Sequence, residues 1–111
     1  MAGELARLGA LIRQLQGALG GNPIIRGNVA GDGTINEGTG FSVTRDSTGS
    51  YMITFTLAFS DTPSVAVSAG SSTAAVTAQT GATISASSCA VFTFSGGSVA
   101  DLPFSFIAIG P

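Results

Sequence analysis

The first twenty residues of this chain carry an apolar repeat that constrains the fold more than any other feature. Apolar side chains recur there at intervals of 3, 4, 3 and 4 residues: Leu5, Leu8, Ile12, Leu15 and Leu19. That spacing is the a/d alternation of a coiled coil, with Ile12 at an a position and Leu8 at a d position. A single helix cannot bury such a stripe against itself, so the segment predicts a stalk that needs other helices.

The predicted stalk is too short to be stable alone. Burying five aliphatic side chains contributes about 8–15 kcal/mol, whereas ordering roughly fifteen residues costs on the order of 20 kcal/mol. Gly20 and Gly21, followed by Pro23, predict the end of the helix, because glycine terminates helices and proline blocks their continuation. We therefore expect residues 1–21 to form a helical stalk where several copies hold it together.

The positions that flank the a/d stripe indicate what the stalk contacts. A two-stranded coil usually carries charged pairs at e and g, but here Leu11 and Ala18 stand at g positions. This wider stripe suits three or more helices, or docking into a groove on another protein, and it does not choose between a trimer and a tetramer. The residues predicted to mediate oligomerisation or anchoring are Leu5, Leu8, Leu11, Ile12, Leu15 and Leu19.

Two arginines bear on the membrane and export alternatives. An amphipathic membrane helix usually carries several basic residues on its polar face, whereas this one has Arg7 and Arg13. The same arginines interrupt the apolar run that a signal peptide would need, and the other uncharged runs are too rich in Gly, Ser and Thr to span a bilayer. We expect synthesis in the cytoplasm, no cleaved signal and no membrane insertion.

From Ile24 onward the apolar period changes to two, which indicates β-strands. Turn signals separate the short apolar runs about every eight to twelve residues, which is typical of a sandwich or jelly roll. The predicted strands contain, in order, Ile24–Val29, Phe41–Arg45, Tyr51–Leu57, Val65–Val67, Ala74–Ala78, Ile84, Val91–Phe94 and Phe104–Ile109. We predict a mainly β protein: an antiparallel β-sandwich or jelly-roll-like head over 22–111 with a short N-terminal coiled-coil helix that joins three or more copies.

The chain is poor in charge. Charged residues make up 9% of its 111 residues and give a formal net charge of −2, against about 25% charged residues in a typical soluble domain. Nucleic-acid binding requires several cations to displace counterions, so no nucleic-acid partner is expected. A free monomer normally keeps more surface charge. The deficit indicates a surface covered by copies of the chain or by a larger particle; the alternative is a surface made polar by Ser and Thr.

The residue types that carry most catalysis are missing. The sequence contains no His, Lys or Trp, which removes the usual general base, the Schiff-base amine and most metal ligands. The lone Cys89 lies in a strand-like run and is interpreted as a core thiol. The carboxylates are scattered and mostly occupy predicted turns: Glu4, Asp32, Glu37, Asp46, Asp61 and Asp101. We predict no catalytic residue, no metal site, no cofactor and no enzymatic activity.

Arg26 and Arg45 are the basic residues predicted within strands. Each could contact a ligand or partner, or could pair with an acidic residue across strands or with carbonyls at a subunit boundary. The second, structural interpretation is favoured. Asp32 stands between two glycines and is interpreted as a turn residue, with a calcium ligand beside Glu37 as the alternative.

Three consecutive motifs carry a resemblance to a known family. The sequence reads Gly-x-Gly-Phe-x-Val-x-Arg over 38–45, Thr-Gly-x-Tyr-x-Ile-x-Phe over 48–55 and Phe-x-x-x-Pro over 59–63. This series resembles the β-rich modules of small minor tail proteins and tail-fibre heads in phages of actinobacteria. A helix followed by a β head is also similar to the trimeric stalk-and-knob layout of such fibres. The resemblance implies a homotrimeric virion component at the tail tip or on a fibre, and it transfers no binding site.

Three hypotheses remain open at this point. The first is a structural component of a phage, a minor tail protein or tail-fibre knob, whose helix contacts other virion proteins and whose head contributes to adhesion, with a host cell-surface glycan as a candidate ligand. The second is a carbohydrate-binding module, disfavoured because Tyr51 is predicted to point inward. The third is a trimeric capsid decoration protein. We expect the protein to reside in the virion, in the tail rather than the capsid.

Overall fold

The computed structural model describes residues 8–12, 22–71 and 75–111. Residues 8–12 are α-helical, and the rest of the described chain forms strands and their connections. The strands are β1 (Ile24–Val29), β2 (Ile35–Glu37), β3 (Phe41–Ser47), β4 (Ser50–Phe55), β5 (Ser64–Ala69), β6 (Val76–Ile84), β7 (Ser88–Ser95), β8 (Ser98–Val99) and β9 (Phe104–Ile109). The prediction of a mainly β protein is therefore confirmed.

The strands form two antiparallel sheets. Sheet A has the order β2-β1-β9-β5, and sheet B has the order β3-β4-β7-β6, with β8 paired to β7. Every strand pair described is antiparallel. The end of the Phe104–Ile109 run is apolar on both faces, which predicts either a central strand or one that faces a neighbouring subunit. β9 lies between β1 and β5 and is therefore central.

One core joins the inward sides of the two sheets. The predicted alternation in β4 is confirmed, because Tyr51 and Ile53 are fully buried while Thr54 between the inward positions is exposed. Rings from both sheets meet in this core: Phe41 and Phe106 lie 4.8 Å apart edge to face, and Tyr51 lies 5.0 Å from Phe104. Such aromatic pairs stabilise packing beyond the area that they bury. We refer to the two sheets and their core as the two-sheet body.

Two features of the strand pattern differ from the sequence prediction. The runs around Ala78 and Ile84 were expected to be separate strands, but both belong to β6, whose pairing with β7 shifts register between Thr80 and Ile84. Gly81 lies in this irregular stretch, where a Cβ atom would approach the Cβ of Ala90 to 2.8 Å. The glycine therefore marks a bulge inside one strand rather than a turn between two.

The short strands β2 and β8 were not predicted. Their residues are all exposed, so they carry no alternation of buried and exposed positions that a sequence could display. Conversely, the predicted β4 run extended to Leu57, whereas β4 ends at Phe55 and residues 56 and 57 form a bend.

The predicted stalk falls largely outside the described residues. Leu5, Leu15 and Leu19 lie there, so the coiled coil stays a prediction. The helical residues that are described contact the two-sheet body, since a Cβ atom on Gly9 would lie 3.4 Å from Leu57 Cδ2.

A glycine in β1 tests the packing of the core. The ring of Phe41 occupies the space that a Cβ atom on Gly27 would need, whereas the nearest atom to a Cβ on Gly70 is 3.7 Å away. Gly27→Ala should therefore lower the free energy of unfolding by about 1–3 kcal/mol through overpacking. Gly70→Ala should change it by less than about 1 kcal/mol. Urea unfolding followed by circular dichroism measures both, and equal effects would contradict this packing.

Candidate functional site

A cluster of polar groups lies at one end of the two-sheet body. Arg45 Nη2 is 2.8 Å from Asp101 Oδ2, and Arg45 Nε donates to the same carboxylate at 3.0 and 3.1 Å. The backbone N–H of Gly49 donates to Asp101 Oδ1 at 2.7 Å. The Tyr51 hydroxyl lies 3.3 Å from Asp101 Oδ1 and donates to the carbonyl of Gly31 at 2.7 Å. The carboxylate of Asp101 thus joins its own loop to the hairpin of β3 and β4, and the Tyr51 hydroxyl links this cluster to the turn at Gly31.

The electrostatics of this cluster fit a structural role. Hydrogen bonds from Arg45, and then from the Gly49 N–H, hold the pKa of Asp101 below its usual value. The same contact raises the pKa of Arg45, while burial raises the pKa of Tyr51. Each group is therefore fixed in its ordinary charge state near neutral pH, and the donors that surround Asp101 are already used within the protein.

The other predicted ion pair is also present. Arg26 Nη2 lies 3.4 Å from Glu37 Oε1, which joins β1 to β2. Both side chains are more than half exposed, and exposed pairs of this kind contribute little to stability. The interpretation of Arg26 and Arg45 as partners of acidic residues is confirmed.

The remaining polar candidates have local roles. Asp32 Oδ1 accepts a hydrogen bond from the Thr34 N–H at 2.9 Å, which makes Asp32 the turn residue that the sequence predicted and lowers its pKa. Cys89 is fully buried, and burial raises the pKa of its thiol. Within the described ranges, no three residues among His, Cys, Asp and Glu are grouped as metal ligands would be.

The largest exposed side chains of the described helix are apolar. Leu8, Leu11 and Ile12 belong to the predicted oligomerisation set and are 55%, 52% and 50% exposed. They share one side of the helical turn, because residues three and four apart are neighbours on a helix. The structure thus brings together the predicted residues that it describes, and it leaves them accessible.

A second exposed apolar surface lies on the outer side of sheet A; the sequence indicated only that the last strand either is central or faces a neighbouring subunit. Ile24, Ile107 and Ile109 point outward from sheet A and are 59%, 47% and 41% exposed. Cross-strand register places Ile24 beside Ile109, and Ala66 beside Ile107. We call this outward surface of β1, β9 and β5 the isoleucine face. The signal that could have found it is the Phe104–Ile109 run, where isoleucines alternate with the inward residues Phe106 and Ala108.

The apolar and polar surfaces lie at different ends of the body. β1 begins at Ile24 and runs toward the turn that holds Asp32, while β9 runs back to Ile109. The helical residues contact Leu57, which lies at the same end as Ile24, because Gly110 N donates to Pro23 O and Ser60 N donates to Pro111 O. We call this end the stalk end, and the opposite end, with Asp101, the polar end.

Comparisons with protein-family models, curated proteins and solved structures give no significant match. None of the described helical residues belongs to a helix long and apolar enough to cross a membrane.

The Asp101 cluster predicts a loss of stability in acid. Because its pKa is lowered in the folded state, the unfolded chain binds the proton first as the pH falls. This contribution to the free energy of unfolding is complete above about pH 4–5 and is lost as the pH falls through the folded pKa. Asp101→Asn should therefore lower the thermal midpoint at pH 7 and flatten its dependence on pH below about 4.

The matched control for this prediction is Asp46→Asn, which removes an exposed carboxylate of β3 outside the cluster. Its melting curves, recorded by circular dichroism from pH 7 to pH 2, should follow those of the parent chain. A variant at Asp101 with the same pH profile as the parent would show that the cluster does not stabilise the fold.

Proposed function

We propose that this chain is a structural component of a phage virion, a minor tail protein or tail-fibre knob that assembles as a homotrimer. In this proposal the two-sheet body is a β-sandwich head, and residues 1–21 form a coiled-coil stalk that joins the copies and anchors them to other virion proteins. The polar end of the head then faces away from the anchor, toward the host surface.

The observation that carries the proposal is a group of exposed aliphatic side chains at the stalk end. Leu8, Leu11 and Ile12 are each at least half exposed, and Ile24 and Ile109 lie at the same end of the body. Exposed aliphatic clusters of this kind mark surfaces that other protein covers. The other exposed large apolar side chains of the described residues are Ile107 in the middle of β9, and Ile35 and Val99 toward the polar end.

The chemistry of the site also favours an assembly role over catalysis. The polar groups that converge at Asp101 hydrogen-bond to one another, and the buried Cys89 thiol has its pKa raised rather than lowered. Reactive cysteines show the opposite shift. The resemblance of residues 25–65 to tail-fibre modules supplies the phage context.

A sugar-binding role receives less support. Carbohydrate sites stack sugar rings on exposed aromatic faces, but Tyr51, the one tyrosine of the sequence, is fully buried. Its hydroxyl hydrogen-bonds to Gly31 and Asp101 rather than facing solvent.

A single charge placed among the a and d positions of the predicted coiled coil, which form its seam, tests the stalk. Ile12→Asp places a carboxylate at an a position, where burial of an unpaired charge is strongly unfavourable. We expect the parent chain to scatter light as three times the chain mass at micromolar concentration, and Ile12→Asp to scatter as a monomer. Far-ultraviolet circular dichroism should keep the β signal of the head in both.

Ala10→Asp is the matched control, because residue 10 falls at an f position on the outer side of the predicted coil and is exposed. It should assemble like the parent. A parent chain that is monomeric at these concentrations, or an Ile12→Asp variant that assembles normally, would overturn the proposal. If the proposal holds, a reconstruction of the particle distinguishes a tail position from capsid decoration.

A further inference from the structure

We infer that the isoleucine face is the surface through which the heads of three copies meet, with the face turned toward a common three-fold axis. This inference rests on the proposed homotrimer and assigns the residues that hold its heads together. The occupant of the face is thus a further copy of this same chain.

The composition of the face suits contact with identical copies. A residue that lies on a three-fold axis meets its own equivalents, so a charged residue there would face like charges. The outward positions of β9 and β5 carry no charge: Ile107 and Ile109 are apolar, Ala66 beside Ile107 is small, and all three are exposed. Ser64 stands beside Ile109, and the outward positions at the other end of the three strands are neutral and polar: Asn28, Ser68 and Ser105.

The charges on the face cancel one another. Arg26 stands beside Ile107 in the register of β1 and β9, and its guanidinium pairs with Glu37 of β2 at the edge of the sheet. This pair leaves no net charge to repel a neighbouring copy. It also places a donor and an acceptor at the rim, where interfaces are usually polar.

The outward side of sheet B differs from this face. Its cross-strand positions are dominated by hydroxyl side chains, such as Ser42, Thr44 and Thr54. The rings that do point outward there, Phe92 and Phe94, are half-buried, and Phe92 covers Gly81 of the neighbouring strand. Sheet B therefore covers its own outward rings, whereas the isoleucines of sheet A stay exposed.

The position of the face matches the entry of the stalk. Ile24 follows Leu19, the last predicted a position, after the short link Gly20-Gly21-Asn22-Pro23. The hydrogen bond from Gly110 N to Pro23 O, at 3.3 Å, fixes that entry beside the end of β9. If the coiled coil lies on the three-fold axis, Ile24 and Ile109 of each head therefore lie close to that axis.

The area of the face explains why stalk and head must act together. Three strands spaced about 4.8 Å apart, each with six residues at about 3.3 Å rise, span roughly 300 Å². A stable interface usually buries about 800 Å² on each partner, so this face alone falls short of a stable contact. The predicted seam of the stalk would add its own area along the same axis.

The experiment places one carboxylate on each sheet. Ile107→Asp alters the outward centre of β9, between β1 and β5, and Thr54→Asp alters an outward position of β4, between β3 and β7. Light scattering over a dilution series gives the concentration at which each trimer dissociates. We expect Ile107→Asp to raise that concentration on the order of 100-fold, because it buries an unpaired charge. Thr54→Asp should change it less than about threefold.

Cross-linking tests the same face without a disruptive charge. Ile109→Cys, treated with a trifunctional maleimide, should yield covalent trimers on a denaturing gel. Thr54→Cys and the parent chain should stay monomeric on the gel, since the native Cys89 is fully buried.

The outcomes separate this inference from the proposed function. If the parent is trimeric but Ile107→Asp dissociates like Thr54→Asp, and Ile109→Cys gives no covalent trimer, the face is not the interface and the stalk alone holds the copies. Covalent dimers without trimers would point to a two-fold contact and would equally overturn the inference. A monomeric parent would overturn both.

Discussion

The two-sheet body depends on a few aromatic contacts that span its core. Phe41 of β3 meets Phe106 of β9, and Tyr51 of β4 meets Phe104, so both pairs join sheet B to sheet A. Many of the other inward positions hold small residues such as Ala108, Cys89 and Thr93, which cannot bridge sheets about 10 Å apart. The rings therefore set the separation of the sheets. The ring of Phe41 fills the space beside Gly27 of β1, where a Cβ atom would otherwise lie. Everything outside the core is placed relative to these contacts.

Several large aliphatic side chains lie outside this core. Isoleucine and leucine usually fill cores, yet here Ile24, Ile107 and Ile109 point outward, and Leu8, Leu11 and Ile12 of the helix are exposed. The polar network is arranged in the opposite way, since Asp101 and Arg45 satisfy each other at the far end of the strands. The described residues thus place exposed aliphatic side chains at the stalk end and the Asp101–Arg45 pair at the polar end, toward which Ile35 and Val99 are also exposed. This asymmetry is a property of the folded chain, because the residues concerned are far apart in sequence.

Much of the architecture could be read from the sequence, and the limits have physical causes. Alternation predicted β1, β3, β4, β5, β7 and β9 because each has one buried side. The exposed strands β2 and β8 carry no such pattern, and the bulge at Gly81 resembles a turn until the neighbouring Ala90 is seen. For the site, the sequence predicted that Arg26 and Arg45 pair with acidic residues. It could not identify those partners, Glu37 and Asp101, because they depend on tertiary contacts. The isoleucine face was predicted only as one of two alternatives for the last strand, because a run apolar on both sides does not reveal which side is covered by the other sheet.

The burial of the Cys89 thiol determines how the protein reacts with oxidants and alkylating reagents. It lies in the middle of sheet B, opposite Ile53, with no accessible surface, so an oxidant or alkylating reagent can reach it when the strands separate. While the sheets stay closed, copies of this chain therefore form no disulfide with one another in an oxidising environment. The rate at which the thiol is modified would therefore measure how often the two-sheet body opens.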